Sequence, residues 1–177
     1  RHSLSDTCRF NEGNTKADDF DLGLAALPAL AEKLVADQRD KVAEFAEMHK
    51  REAIIYTMAS GPNFGQAYSF AICLLQEMQW VHSAAIHAGE YFHGPFEITD
   101  FDVPFVQLMG LGPSRAMDER ALAFAQKYSK RVTVLDANEL GVSMLPIRGD
   151  LPRVRHVSLR ARDQSRDGPF YHGDFRG

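Results

Sequence analysis

Apolar positions along the chain fall into two rhythms, and their alternation predicts a layered α/β domain. Ala53-Ile-Ile-Tyr-Thr-Met58 is a short β-branched and aromatic run of the kind a strand needs, and it stops at the turn-forming cluster Ser60-Gly-Pro-Asn63. Val103-Pro-Phe-Val-Gln-Leu-Met109 predicts a second strand, with Pro104 near its start where a missing N–H is tolerated. Gly110-Leu-Gly-Pro113 follows as a turn, and Arg131-Val-Thr-Val-Leu135 predicts a third strand. Elsewhere the period lengthens. From Pro28 to about Lys50, Leu30, Leu34, Val42, Phe45 and Met48 share one helical stripe, while Lys33, Asp37 and Lys41 form i,i+4 opposite-charge pairs on another. A helix from about Gly65 to Trp80 is so apolar, through Phe70-Ala-Ile-Cys-Leu-Leu75, that most of it should be buried. Ser114 is placed to cap a third helix running to about Lys130, with Met117, Ala121, Phe124, Ala125 and Tyr128 as its stripe. Strands alternating with helices are the pattern of a parallel sheet.

Composition narrows the class. A chain of 177 residues, 45% hydrophobic and 25% charged, can build one core of ordinary size. Its formal charge of −4 argues against bulk attraction to nucleic acid or to anionic membranes, and no run approaches the ~20 apolar residues of a membrane span. The two cysteines are Cys8 and Cys73; Cys73 lies in the apolar helix and is expected to be a small core hydrophobe, which favours a reducing, cytoplasmic setting. Residues 1–20 are polar and weakly patterned, so little order is expected there. The organised domain is expected over 21–142. The tail, 143–177, carries no lysine and seven of the fourteen arginines, with no sustained apolar period.

Candidate chemistry concentrates in the central stretch. Glu77 lies within the apolar helix, on a helical stripe with Phe70, Cys73, Leu74 and Val81. A carboxylate on such a stripe is either paired with a structural cation or poised for proton transfer with a raised pKa. His93 follows in Glu90-Tyr-Phe-His-Gly-Pro-Phe-Glu97, where Gly94-Pro95 ends any helix and exposes the side chain before it. A carboxylate and an imidazole can act as an acid–base pair. A rival reading takes His87, Glu90 and His93, spaced by three, with His82 nearby, as metal ligands. Against it, steps of three drift around a helix and the Gly-Pro breaks it, so convergence of three ligands is not expected. His49 and His156 read as surface residues.

The same stretch carries a resemblance. Ala59-Ser60-Gly61, Glu77-Met78-Gln79-Trp80, His82-Ser83, Ile86-His87, Gly89-Glu90, Phe92-His93-Gly94-Pro95-Phe96-Glu97-Ile98-Thr99-Asp100 and Asp118-Glu119-Arg120-Ala121-Leu122 resemble the second half of sugar isomerase (SIS) domain proteins. Within that family the likeness is to fructosamine 6-phosphate deglycases and covers roughly residues 17–142. The isomerase domain of glutamine–fructose-6-phosphate aminotransferase shares only a sparser Glu…His-Gly-Pro skeleton. The resemblance implies a three-layer αβα sandwich around a parallel sheet, and two SIS domains in tandem of which this is the second. It also implies one more strand and a closing helix where the tail stands, the alternatives there being a truncated, frame-shifted or recombined end. It gives His93 a part in opening the sugar ring and Glu77 a proton shuttle between C1 and C2. It implies no cofactor, a phosphorylated sugar as substrate, and a site completed by a homodimer or by another SIS domain. Ser60, Gly61 and Asn63 are candidate substrate contacts, because ligands of parallel sheets bind at the carboxyl ends of strands. Glu90 is a candidate for orienting the His93 imidazole. A catalytically silent module that binds a sugar phosphate or a partner subunit is the alternative function.

Overall fold

The computed structural model describes residues 17–144. Of the start expected to have little order (1–20), residues 1–16 lie outside the described residues while 17–20 belong to the first helix, and residues 145–177 of the arginine-rich tail also lie outside. The first element, α1, spans Ala17–His49. It begins well before the expected start at Pro28, which sits inside the helix rather than in its first turn. Alanine and leucine on both sides of the proline are strong helix formers and carry the helix past the missing N–H. Its better-shielded side runs through Ala26, Leu30, Leu34, Gln38, Phe45 and His49. Val42 and Met48, expected on that stripe, are exposed instead. His49, expected at the surface, is buried: its ring stacks on Phe45 at 4.3 Å, and Nδ1 meets the Phe45 carbonyl oxygen at 2.8 Å.

The strand β1, Ile54–Ala59, enters from α1 and ends in a 3₁₀ turn at Gly61–Asn63. The helix α2, Phe64–Ser69, then widens without a break into a π-helical segment, Phe70–Met78. This segment corrects two expectations. Ala67, Ala71 and Leu75 are its buried side, whereas Cys73 and Glu77 are exposed, as are Leu74, Met78 and Trp80. A helix apolar all round has no polar face to mark which stripe turns inward. Ala67 and Ala71 win because small side chains let the helix approach the sheet closely, and Leu75 completes that stripe. Glu77, two residues past Leu75, is thereby carried to the outer side.

Next comes a strand that hydrophobic pattern did not predict. β2, His82–His87, holds one β-branched residue, Ile86, among alanine, serine and histidine. Its strand conformation is a tertiary product: all six residues pair with β1, from Ile54↔His82 to Ala59↔His87. Two 3₁₀ turns, Tyr91–His93 and Pro95–Ile98, lead to β3, Phe105–Met109. The helix α3, Arg115–Tyr128, and β4, Val132–Asp136, complete the order, followed by a short turn at Val142–Met144. Ser114 occupies the N-cap of α3, but its side chain makes no capping bond.

The four strands are parallel, in the order β2-β1-β3-β4. On one face Met58, Ile86 and Phe105 pack with Tyr91, Ala121 and Ala125, ringed by Phe92, Phe96 and Phe124, whose rings meet largely edge to face. On the other, Ile55 and Val106 pack under Leu75, Phe70, Val81 and Phe45 from the end of α1. Helices on both faces of a parallel sheet make the three-layer αβα sandwich. Two ion pairs hold its β4 edge: Arg115 grips Asp136 through both guanidinium arms at 2.8 and 2.7 Å, and Arg131 pairs with Glu52. The Asp136 carboxyl is held below its ordinary range by that guanidinium.

Phe105 is fully buried at the centre of the larger cluster. Phe105→Ala is expected to cost about 3–5 kcal/mol, read from urea unfolding at unchanged m-value.

Candidate active site at the carboxyl edge of the sheet

Because every strand runs the same way, Ser60, His87, Gly110 and Asp136 gather at one edge, where parallel sheets present ligand sites. A cleft of about 380 Å³ opens there, lined by Ala88, Gly89, Phe92, His93, Met117 and Arg120. Its walls are the turn after β2 and the first turns of α3.

His93 lines this cleft. It ends a 3₁₀ turn whose backbone closes through the His93 N–H donating to the Glu90 carbonyl at 2.9 Å. Gly94 then takes φ 145°, a backbone only glycine adopts freely, and Pro95 forbids continuation. The histidine is thus exposed at the end of a stiff turn. Opposite it, the Arg120 guanidinium lies 4.3 Å from the centre of the Phe92 ring. Glu90 meets His93 through the backbone: its carbonyl accepts from His93, and its own N–H donates to His87 at 2.8 Å.

The three expected substrate contacts share this edge but differ in access. Ser60 is buried, and its hydroxyl donates to the Ser114 carbonyl at 3.1 Å. Gly61 has φ +54°, and a Cβ there would come within 2.6 Å of Ser114 Oγ, so a side chain is excluded by both backbone and space. The Asn63 amide packs against Gly110, 3.0 Å from where a Cβ would stand. These contacts lock the turn after β1 to the turn after β3.

Glu77 is elsewhere. A helix joining two parallel neighbours must return from the carboxyl end of β1 to the amino end of β2, and Glu77 lies in its last turn. Gln76 beside it donates to the Ser83 carbonyl, in the amino half of β2. Within one chain Glu77 and His93 therefore flank opposite ends of β2, a strand spanning roughly 17 Å at ~3.3 Å per residue. The same geometry separates His82 from His87, and no group of three or more histidine, cysteine, aspartate or glutamate side chains among the described residues is arranged to hold a metal ion.

One chemically notable residue escaped the sequence pattern. Asp118 is fully buried beneath the cleft, and neither carboxylate oxygen has a hydrogen-bond partner in the structure. Burial pushes its carboxyl above the usual aspartate range. The nearby Ser60 hydroxyl and Gly110 N–H, which fall short of hydrogen-bond geometry, oppose this only in part, together with the charges of His87 and Arg115. Gln107 Oε1, also buried, is likewise unpaired nearby, while its Nε2 reaches the Asp118 carbonyl at 3.5 Å. The signal was available. Asp118, Ala121 and Ala125 share the buried side of α3, but an acidic residue in a first turn reads more simply as a solvated partner of the helix dipole.

No family model matches the chain. Fructosamine deglycase FrlB of Bacillus subtilis is 56% identical over 131 residues, which are 74% of this chain and 40% of the relative. Over the matched residues the chain is similar to a fructosamine deglycase. Fructoselysine 6-phosphate deglycase of Escherichia coli is 35% identical over 123 residues, 70% of this chain and 36% of its own length. A solved Bacillus subtilis structure assigned as a phosphosugar isomerase superposes with a TM-score of 0.71 at 55% identity, over 75% of this chain and 40% of that one. The chain thus spans about two fifths of the length of such relatives. No helix among the described residues is long and apolar enough to cross a membrane.

The raised Asp118 carboxyl sets a sign for the pH dependence of stability in this domain. The folded state holds the proton more tightly than the unfolded chain, so the ionised carboxyl opposes folding once pH rises through the folded value, and that opposition is relieved on acidification. Asp118→Asn is expected to gain stability relative to wild type at about pH 8 and to lose that advantage at about pH 4, measured as urea midpoints.

Proposed function

We propose that this chain is the second SIS domain of a deglycase that cleaves a fructosamine 6-phosphate to glucose 6-phosphate and a free amine. The observation that carries the reading is His93, presented by the Gly94-Pro95 stop into a cleft at the carboxyl edge, in a chain 56% identical to a fructosamine deglycase over the matched region.

The chemistry is proton movement. The histidine assists opening of the sugar ring. A base then takes a proton from C1 of the open-chain adduct, and the C2 oxygen is protonated to give the enolamine. Protonation at C2 with loss of the N–H proton gives the imine. Water adds to C1, the C1–N bond breaks, and amine and aldose leave. Glu77 is assigned the C1/C2 shuttle and His93 the ring opening. Gly61 and Asn63 are assigned the substrate contacts near the strand ends, supported by the bond from the Ser60 hydroxyl to the Ser114 carbonyl that fixes their turn. Glu90 supports His93 through the turn they share.

Opposite ends of β2 cannot serve one sugar carbon chain within a single copy. The working site is therefore assigned to two domains, Glu77 from one and His93 from another, in a homodimer or in a pairing with another SIS domain. The apolar outer side of the α2 and π-helical segment, with Leu74, Met78 and Trp80 exposed beside Glu77, fits burial in such an assembly. In that setting Glu77 would meet the water-poor surroundings that a proton shuttle requires. The exposure of Glu77 in the single chain favours the second reading, a silent module that binds a sugar phosphate or a partner subunit.

The test is release of glucose 6-phosphate from a fructosamine 6-phosphate by the purified chain. Glu77→Gln and His93→Gln are each expected to lose about 10²–10⁴-fold in rate. Mixing the two variants is expected to restore roughly a quarter of the wild-type rate, because half of randomly assorted dimers then own one intact site of two. An active wild type with no recovery on mixing would place both groups in one chain. Release by wild type no faster than by buffer alone would leave the silent module.

A further inference from the structure

His87 is the last residue of β2, and no role has been assigned to it above. Its ring stands half-buried against the edge of the Phe64 ring, 5.1 Å between centres. Nδ1 lies 3.1 Å from the Gly89 nitrogen and accepts its N–H. That bond requires an unprotonated Nδ1. A Cβ at Gly89 would come within 3.1 Å of His87 Nδ1 and 3.2 Å of Met117 Sδ, so a side chain there would crowd the imidazole and α3. From the same residue, the His87 carbonyl accepts from the Glu90 N–H, and the Glu90 carbonyl accepts from His93. The turn that bears His93 is thus fastened to the strand end by both the ring and the backbone of His87.

We propose that His87 is a positioning residue for His93, its unprotonated ring holding the Gly89 N–H and through it the turn that walls the cleft. Protonation at Nδ1 replaces an acceptor with a donor facing a donor, which releases Gly89. Asp118 on α3 interacts electrostatically with His87 and with Arg115, and Glu90 and His93 are the titratable residues of the turn itself. From α2 the uncharged Phe64 edge meets the ring. Acidification that protonates Nδ1 is therefore expected to loosen the turn.

The proposal rests on the deglycase reading only for its kinetic consequence, and its first test needs no substrate. Backbone amide and histidine ring resonances of the full chain are followed from about pH 8 to about pH 5. The expected result is an unprotonated Nδ1 on His87 at the upper limit, with Gly89, Phe92 and His93 amides moving at the His87 midpoint. His87→Asn offers an acceptor near the Nδ1 position without the titration, and is expected to hold those amides at their high-pH positions throughout. A protonated Nδ1 at about pH 8, or amides that ignore the His87 midpoint, would overturn the proposal even if His87→Asn fails to fold. In the release assay, His87→Leu is expected to lower kcat about tenfold with KM little changed, and His87→Asn to restore it. Equal loss in both variants would reduce His87 to a packing role. An inactive wild type would remove the deglycase reading while leaving the amide titration as evidence.

Discussion

The parallel pairing of β1 with β2 decides where every candidate residue stands. It runs without a slip from Ile54↔His82 to Ala59↔His87, and it forces the intervening helix to travel the length of the sheet. One consequence is that Ser60, His87 and the His93 turn arrive at the same edge. The other is that Glu77, late in the helix, is left at the far edge. The distance between the two proposed acid–base partners is thus a property of strand pairing rather than of side-chain choice. Any chemistry that needs both follows from how domains associate.

The second constraint is the seat of α3. Alanine at 121 and 125 lets the helix lie close on Phe105 and Met58, and that closeness seals Asp118 against the strand ends. The same approach brings Ser114 within reach of Ser60 and Gly61, and Met117 and Arg120 to the cleft. Arg115 pins the helix start to β4 through Asp136, although a cation at a helix N-terminus opposes the dipole. A bidentate guanidinium–carboxylate pair outweighs that local penalty and fixes the depth at which Asp118 is buried.

Stiffness at the edge is unevenly distributed. Gly61 at φ +54° and Gly94 at φ 145° hold turns that other residues would strain, and the aromatic cluster of Phe92, Phe96 and Phe124 backs the second of them. The surface of the π-helical segment is the opposite case. Its exposed apolar side chains make few demands within one copy, which is the condition under which another domain can shape them.

Much of this domain was legible from residue order alone. β1, β3 and β4 announce themselves because β-branched and aromatic runs suit a pleated, buried surface, and the Gly94-Pro95 stop after His93 is local chemistry. The resemblance carried by Glu77 through Asp100 was likewise readable before any fold. β2 was not legible, since alanine, serine and histidine take strand form only when a neighbour supplies the ladder. Nor was the inward stripe of α2, the burial of His49 or the sealed carboxyl of Asp118. Each depends on which face of a helix meets the sheet, and a helix apolar all round, or one that is acidic at its start, does not encode that by itself. Residue order determined β1, β3 and β4, the helices, the turn chemistry and the resemblance; only the tertiary structure decided β2, which sides face inward and which edge each group reaches, because those depend on pairing between segments distant in the chain.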